Sequence, residues 1–472
     1  MLDRDRRDFV PLQQLRQGTA QPQIDPALVA SLGRRLDSFG EKLTAAERSA
    51  LSALLGRARA QPDPVHAALA ALAAQPAAAV MKPEEVATLD RLLAEPVPAG
   101  PGLQPSLVLV MKATRRCNLR CTYCHFWSDE PNQVMSFEVL ARTTRSALEA
   151  PGVEHVEFVW HGGETTLLPL TFYRKALWLQ ERFRRPGQTI VNALQTNGTH
   201  LTAEWLDFIQ RYAIKVGVSL DGPPEIHDRR RFDVAGRPTS ERVREGIGKL
   251  RAIGLDPGIL MVVDDDVIAL GAERLLAYLL EIGVRKVALL NVIPENDPQN
   301  PPPPGSFLAF PRFVEFLRDL FRAWWPAHAD AIAFREISDL FGKVQGEKGK
   351  ICIFDGNCMG RYLTVEPRGD IAACDKYLGD PAYHFGNVLE NGLPGLLSAP
   401  VFQQAHTVTA GGIEGASRCA WFEVCQGGCP HDRHVRVSRG MAGDESCCGL
   451  APLLDDIAQA TGKSFSRSSL SK

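Results

Sequence analysis

Leu107-Val108-Leu109-Val110-Met111-Lys112-Ala113-Thr114-Arg115-Arg116-Cys117-Asn118-Leu119-Arg120-Cys121-Thr122-Tyr123-Cys124 is the stretch on which the reading of this chain turns. Its first five residues form an apolar run that reads as a buried strand. Directly after it come three cysteines spaced C-x3-C-x2-C. Three cysteines so close cannot all pair with one another. Structural zinc favours paired C-x2-C knuckles with four ligands, and disulfide frameworks belong to short secreted chains. Three thiolates suit a four-iron cluster, one iron of which they leave without a protein ligand and open to a chelating small molecule.

Outward from this stretch, apolar strand candidates alternate with amphipathic helix candidates from about residue 105 to 295. The strands are Leu107–Met111, Val156–Trp160, Ile190–Leu194, Lys215–Leu220, Gly258–Val263 and Lys286–Asn291. The helices between them are Phe137–Glu149, Phe172–Phe183, Ala203–Arg211, Ser240–Ile253 and Ala272–Ile282. Such alternation predicts parallel strands with crossover helices, an α/β fold. Residues 1–100 are Ala- and Leu-rich. Thr44-Ala45-Ala46-Glu47 reads as a capping box, and helices are expected over Val65–Ala74 and Pro83–Leu93, closed by Pro96, Pro98 and Pro101. This helical region is either a packing cap or a platform for a substrate or partner. Pro298 to Pro304 marks a break, and Phe310–Trp325 reads as a helix. The chain divides into 1–100, 101–300, 301–350 (linker and bridging helices), 351–450 and 451–472 (a helix and a Ser-rich tail).

With 472 residues the chain has room for a large core in about two or three domains. A net charge of −2 gives no reason to expect a nucleic acid as partner. No apolar run approaches a membrane span, and Met1-Leu2-Asp3-Arg4-Asp5-Arg6-Arg7-Asp8 lacks the apolar core of a signal peptide. Eleven cysteines without an export signal point to reducing cytoplasm, where thiols serve metals.

The triplet Cys117, Cys121 and Cys124, with Tyr123 before its last member, resembles the signature of the radical SAM superfamily. The resemblance implies a partial (β/α)6 TIM-like barrel, with its chemistry on loops after the strand ends. It also implies a 4Fe–4S cluster on the triplet and S-adenosyl-L-methionine (SAM) on the open iron. His161-Gly162-Gly163-Glu164 then looks like the segment that receives SAM's amino group. Gln195-Thr196-Asn197-Gly198 and Ser219-Leu220-Asp221-Gly222-Pro223 look like polar strand ends facing the site. Ser219 is expected at the methionine carboxylate or ribose, Arg231 on that carboxylate, and Tyr123 near the adenine. His125, Phe126 and Trp127 line the same loop or pack beneath it.

The remaining eight cysteines lie between residues 352 and 448. Cys358 is followed by ten residues, Gly369, four residues and Cys374; Cys419-x5-Cys425-x3-Cys429 precedes Cys447 by seventeen residues. This pattern resembles the SPASM domain, which carries two auxiliary 4Fe–4S clusters. The resemblance assigns Cys352, Cys358, Cys374 and Cys429 to one, and Cys419, Cys425 and Cys447 to the other. The family's further cysteine, three positions before Cys419, is Ala416 here. Either Cys448 is the fourth ligand or one iron is open. Asp375 occupies a position where sulfatase-maturating relatives hold a base near the substrate carbon; the structural alternative is a surface aspartate in a turn.

What the resemblance implies is a radical SAM oxidoreductase that removes hydrogen from a peptide or small protein. The reductant would be a flavodoxin- or ferredoxin-type protein. Length, N-terminal extension and cysteine layout suggest thioether links from Cys to Asp or Glu methylenes in a Cys-rich quinohemoprotein amine dehydrogenase γ-subunit. The alternatives are formylglycine-forming sulfatase maturation and carbon–carbon cyclophane formation. A non-catalytic electron carrier would not need the Gly-Gly-Glu and Ser-x-Asp-Gly segments. A partner-delivering scaffold would act through its N-terminal helices.

Overall fold

The computed structural model describes residues 64–96, 100, 103–124, 126, 130–291, 308–356, 358–438 and 447–463. The expected capping box at Thr44, His125 and Trp127 lie outside them. The alternating segment forms six parallel strands: β1 (Ser106–Thr114), β2 (His155–Gly162), β3 (Thr189–Thr196), β4 (Lys215–Ser219), β5 (Gly258–Val263) and β6 (Lys286–Asn291). Leu107, Leu109 and Met111 are wholly buried, as the apolar run of β1 requires. Two of the crossover helices, Phe137–Glu149 and Ala203–Arg211, begin at hydrogen-bonded caps: Val139 N–H donates to Ser136 at 3.2 Å and Trp205 N–H to Thr202 at 3.3 Å.

The sheet does not stop at six strands. Beyond β6 a two-residue strand, Ala333–Phe334 (β7), adds in parallel. On the other side of β1, Tyr362–Val365 (β8) pairs in parallel, with Val108 opposite Tyr362. Asp370–Ala372 (β9) and His384–Asn387 (β10) then follow antiparallel, giving the order β10-β9-β8-β1-β2-β3-β4-β5-β6-β7. The cysteine-rich C-terminal region is therefore hydrogen-bonded onto the strand that carries the first cysteine triplet.

The described N-terminal helices, Pro64–Ala73, Ala77–Val80 and Pro83–Ala94, lie on the outside of the sheet, against the helices Phe137–Glu149 and Leu170–Phe183. Arg142 grips Glu95 with two hydrogen bonds of 2.7 and 2.8 Å, Lys175 pairs with Glu85 at 2.6 Å, and Trp178 donates to the Gln75 carbonyl at 3.0 Å. These contacts fasten the described N-terminal helices to the outer layer of the sheet domain.

Candidate active site

The cysteine loop leaves β1 at Thr114 and is fastened on two sides. Gly163 N–H donates to the Thr114 carbonyl and Glu164 N–H to the Arg116 carbonyl, both at 2.7 Å. The glycines are required by this close approach. A Cβ at Gly162, whose φ is +126°, would sit 2.3 Å from the Thr114 oxygen, and one at Gly163 would sit 2.2 Å from the Arg116 oxygen. On the far side, Arg120 N–H donates to the Phe232 carbonyl at 2.8 Å and Thr122 N–H to the Arg230 carbonyl at 3.0 Å.

None of the eleven cysteines is in a disulfide. Burial pushes the Cys117 thiol up to about 12 and Cys121 up to about 11, and raises Cys124 as well. Such thiols stay protonated until a cation takes the proton's place. This is the donor chemistry of a metal–sulfur site. Among the described residues no three His, Cys, Asp or Glu side chains converge as ligands of a single ion would.

The polar strand ends are brought together, but chiefly onto one another. Glu164 is wholly buried. Its Oε1 accepts from Thr166 N–H at 3.0 Å and from the Thr166 and Thr196 hydroxyls at 2.6 and 2.7 Å, while Oε2 accepts from Asn197 N–H at 2.7 Å. Asn197 donates to Asn118 inside the cysteine loop at 2.9 Å. Asp221 is also wholly buried; it accepts from Tyr123 at 2.5 Å, Arg231 at 2.8 Å and Val262 N–H at 3.0 Å. Burial alone would raise the Asp221 carboxyl, but Arg231 and these donors hold it below its ordinary value. Ser219 accepts from Gln195 at 3.0 Å.

Within the protein itself, these side chains chiefly meet one another. The carboxylate that Arg231 meets is Asp221, and its guanidinium also lies 5.4 Å from the Tyr123 ring and 4.0 Å from Cys121 Sγ. Tyr123 is spoken for by Asp221 in the same way. Glu164 and Asp221 have no free oxygen to offer a ligand here. They tie the strand ends and the cysteine loop into one frame.

Asp375 has a different setting. It directly follows Cys374 and reaches across to β1, where it forms an ion pair with Lys112. Lys112 is wholly buried; its Nζ also lies 3.0 Å from His161 Nδ1 and 4.0 Å from the centre of the Phe126 ring. Burial opposes charge on Asp375, yet the Lys112 ammonium outweighs it and holds the carboxyl below its ordinary value. Burial, aided by the charge of Lys112, lowers His161 to about 4, so it is neutral and its Nδ1 accepts from Lys112 and from Gly162 N–H at 2.7 Å. Cys124 feels both Lys112 and Asp375, so this group stands beside the triplet. Sequence reasoning missed Lys112. Its signal was a lysine continuing an otherwise apolar strand.

Cys352, Cys358, Cys374 and Cys429 share one neighbourhood, in which Cys358 acts on Cys374 and Cys429, and Cys352 on Cys358. Burial raises all four, Cys358 to about 11 and Cys429 to about 12. Lys376, also missed from sequence, lies 3.8 Å from Cys429 Sγ and 2.8 Å from Asp432. Cys419, Cys425, Cys447 and Cys448 form a second group, with Cys419 and Cys447 sulfurs 3.8 Å apart.

Residues 111–268 match the model of the radical SAM superfamily, and residues 352–430 match that of SPASM, an iron–sulfur cluster-binding domain. This chain carries a radical SAM domain and an SPASM domain. The radical SAM domain with its SPASM partner implies 4Fe–4S clusters, auxiliary ones included, and the buried free thiols fit them. The chain is 29% identical over 383 residues to a serine-type anaerobic sulfatase-maturating enzyme of Bacteroides thetaiotaomicron, a match covering 74% of this chain and 88% of that one. It is 28% identical to a cysteine-type enzyme of Clostridium perfringens, covering 69% and 89%. Among solved structures it resembles anSMEcpe with bound AdoMet and the Kp18Cys peptide, at TM-score 0.64 and 26% identity over 77% of this chain and 97% of that one. The chain is a radical SAM enzyme that modifies peptides or proteins. Among the described residues, no helix is long and apolar enough to cross a membrane.

Proposed function

We propose that this chain is a cytoplasmic maturase that oxidises the Cβ of a cysteine or serine in a peptide or protein to an aldehyde, giving formylglycine. The sulfatase-maturating relatives support this reading over the thioether crosslinking set out above. The observation that carries it is the Asp375–Lys112 pair. It supplies a carboxylate from the SPASM domain beside the cysteine triplet, with two-fifths of the Asp375 side chain open.

When bound, SAM and the clusters supply hydrogen-atom abstraction and a route for one departing electron. The chain's residues do the rest. Cys117, Cys121 and Cys124 would hold the SAM-binding cluster, with the backbone of Gly162 and Gly163 beside it. Glu164, Asn197, Ser219, Asp221, Arg231 and Tyr123 fix the frame around the site. Once the substrate carbon has lost a hydrogen atom, its hydroxyl or thiol loses a proton as the electron leaves, and Asp375 takes that proton. For serine this gives the aldehyde with net loss of two hydrogens. For cysteine it gives a thioaldehyde, which water converts to the aldehyde with release of hydrogen sulfide. Lys112 keeps Asp375 ionised and aimed.

The test is anaerobic turnover on serine- and cysteine-containing sulfatase peptides, with dithionite or a flavodoxin- or ferredoxin-type reductant. Mass spectrometry and a hydrazide probe read the product. An aldehyde supports the proposal. Loss of two hydrogens per link from a Cys-rich partner, with thiols consumed and no aldehyde, would replace it with thioether formation. The same loss with thiols retained would replace it with carbon–carbon linkage.

A further inference from the structure

Ala416 stands where the SPASM pattern has a cysteine, and the structure shows what compensates. Ala416 is 1% exposed, at the C-terminal end of the helix Pro400–Ala416, and its carbonyl accepts from Cys419 N–H at 3.1 Å. Its methyl group faces Gly427, where an added Cβ would come within 3.3 Å of it. An alanine at this position offers no sulfur to the neighbouring cysteines. Cys448 stands beside the neighbouring glycine, Gly428. Its thiol is within hydrogen-bonding reach of both Cys425 and Cys447, and Cys447 in turn lies 3.8 Å from Cys419. The four sulfurs therefore form one continuous group.

The turn between Cys425 and Cys429 is shaped to admit it. Gly427 and Gly428 both have positive φ, +80° and +70°, a conformation that favours glycine. A Cβ on Gly428 would sit 2.9 Å from Cys448 Cβ, closer than real carbons approach. Cys448 is 7% exposed and Cys425 1%, so both thiols are withdrawn from solvent. A buried cysteine that merely filled space would have no need to touch two others that the SPASM pattern already assigns.

We propose that Cys448 is the fourth protein ligand of the second auxiliary cluster, with Cys419, Cys425 and Cys447, replacing the position that Ala416 has vacated. The cluster then has no open iron, and its role is confined to electron transfer or structure rather than substrate ligation. This rests on the SPASM reading of the C-terminal region.

The test uses the full chain carrying Cys117→Ala, Cys121→Ala and Cys124→Ala, so that only auxiliary clusters remain. Anaerobic reconstitution should give about eight irons, and an electron paramagnetic resonance signal of the reduced protein that added cyanide does not change. Adding Cys448→Ala should remove at least one iron, or make the signal cyanide-sensitive. Adding Ala416→Cys to that variant should restore both the iron and the indifference to cyanide. That rescue separates a lost ligand from a lost fold. A Cys448→Ala protein identical to its parent in iron, spectrum and cyanide response would overturn the proposal, as would a parent whose auxiliary signal already responds to cyanide. A parent that binds about four irons or none would overturn the two-cluster SPASM reading itself.

Discussion

Replacing Lys112 with methionine should uncouple SAM cleavage from product formation. Lys112 is wholly buried, whereas the Asp375 side chain it holds is 40% exposed. Two unit charges in contact attract by ~5 kcal/mol at the effective dielectric typical of sites near a protein surface. Water reaches the carboxylate and screens that attraction, so the net hold on Asp375 is about 1–2 kcal/mol, somewhat above that of an exposed pair. Loss of about 1.4 kcal/mol lowers the occupancy of the aimed position about tenfold. Methionine fills the volume of the lysine stem, so strand β1 and the cysteine loop should persist. The assay measures 5′-deoxyadenosine and modified peptide in the same anaerobic reaction. Lys112→Met should leave 5′-deoxyadenosine formation near the parent rate and cut product about tenfold. Asp375→Asn should cut product by roughly 10²–10⁴, the range of a general base. The double variant should match Asp375→Asn alone, because both changes act on one carboxylate, and Lys112→Arg should recover part of the loss. A Lys112→Met enzyme with an unchanged ratio of product to 5′-deoxyadenosine would refute the reasoning. So would a double variant in which the two losses multiply.

Cys117→Ala, Cys121→Ala or Cys124→Ala should each abolish SAM cleavage; cleavage at the parent rate would remove the triplet from the chemistry. Gly163→Ala should lower iron content and the thermal midpoint, since its Cβ would lie 2.2 Å from the Arg116 oxygen. An overpacking cost of roughly 1–3 kcal/mol is expected, whereas Gly248→Ala, which faces open space, should change neither. Burial lowers His227 to about 4, while its ring bridges Asp221 N–H and Thr239. A free histidine titrates near ~6.5, so the unfolded chain binds this proton first. The stability that neutral His227 contributes is thus present above about 6.5 and is lost as pH falls toward 4. Thermal midpoints between those values should fall less steeply in His227→Gln, with the remaining slope coming in part from His161; an unchanged slope would count against the assignment.

Much of the fold was legible because its signals are local. Gly258–Val263 and Lys286–Asn291 stand in the structure with the bounds their apolar runs suggest, as do the helices Phe137–Glu149 and Ala203–Arg211. Each has a clear period and a polar or glycine boundary. What was not legible is the continuation of the sheet. β7 has two residues and β9 three, too few to show a period of two, and β8 finds its partner in β1 across most of the chain. The site shows the same division. Motifs locate Glu164, Asp221, Arg231 and Asp375, but a carboxylate reads alike in sequence whether it faces a ligand or several protein donors. Lys112 lies one residue past the apolar run Leu107–Met111, and only the fold brings Asp375 to it.

That ambiguity among carboxylates is where the structure adds most to the functional argument. Glu164 and Asp221 are wholly buried and accept four and three hydrogen bonds. Protonating either would break bonds that hold the cysteine loop, so neither can serve as a base without dismantling the site. Asp375 is anchored on one side by Lys112 and open on the other. It can take a proton on its free side while the lysine keeps it in place, and it rides on the residue next to a cysteine of the first auxiliary group. Proton and electron would thus leave the substrate toward the same short stretch of chain. The open carboxylate, rather than the two that resemble binding residues most closely, is the group on which the chemistry should depend.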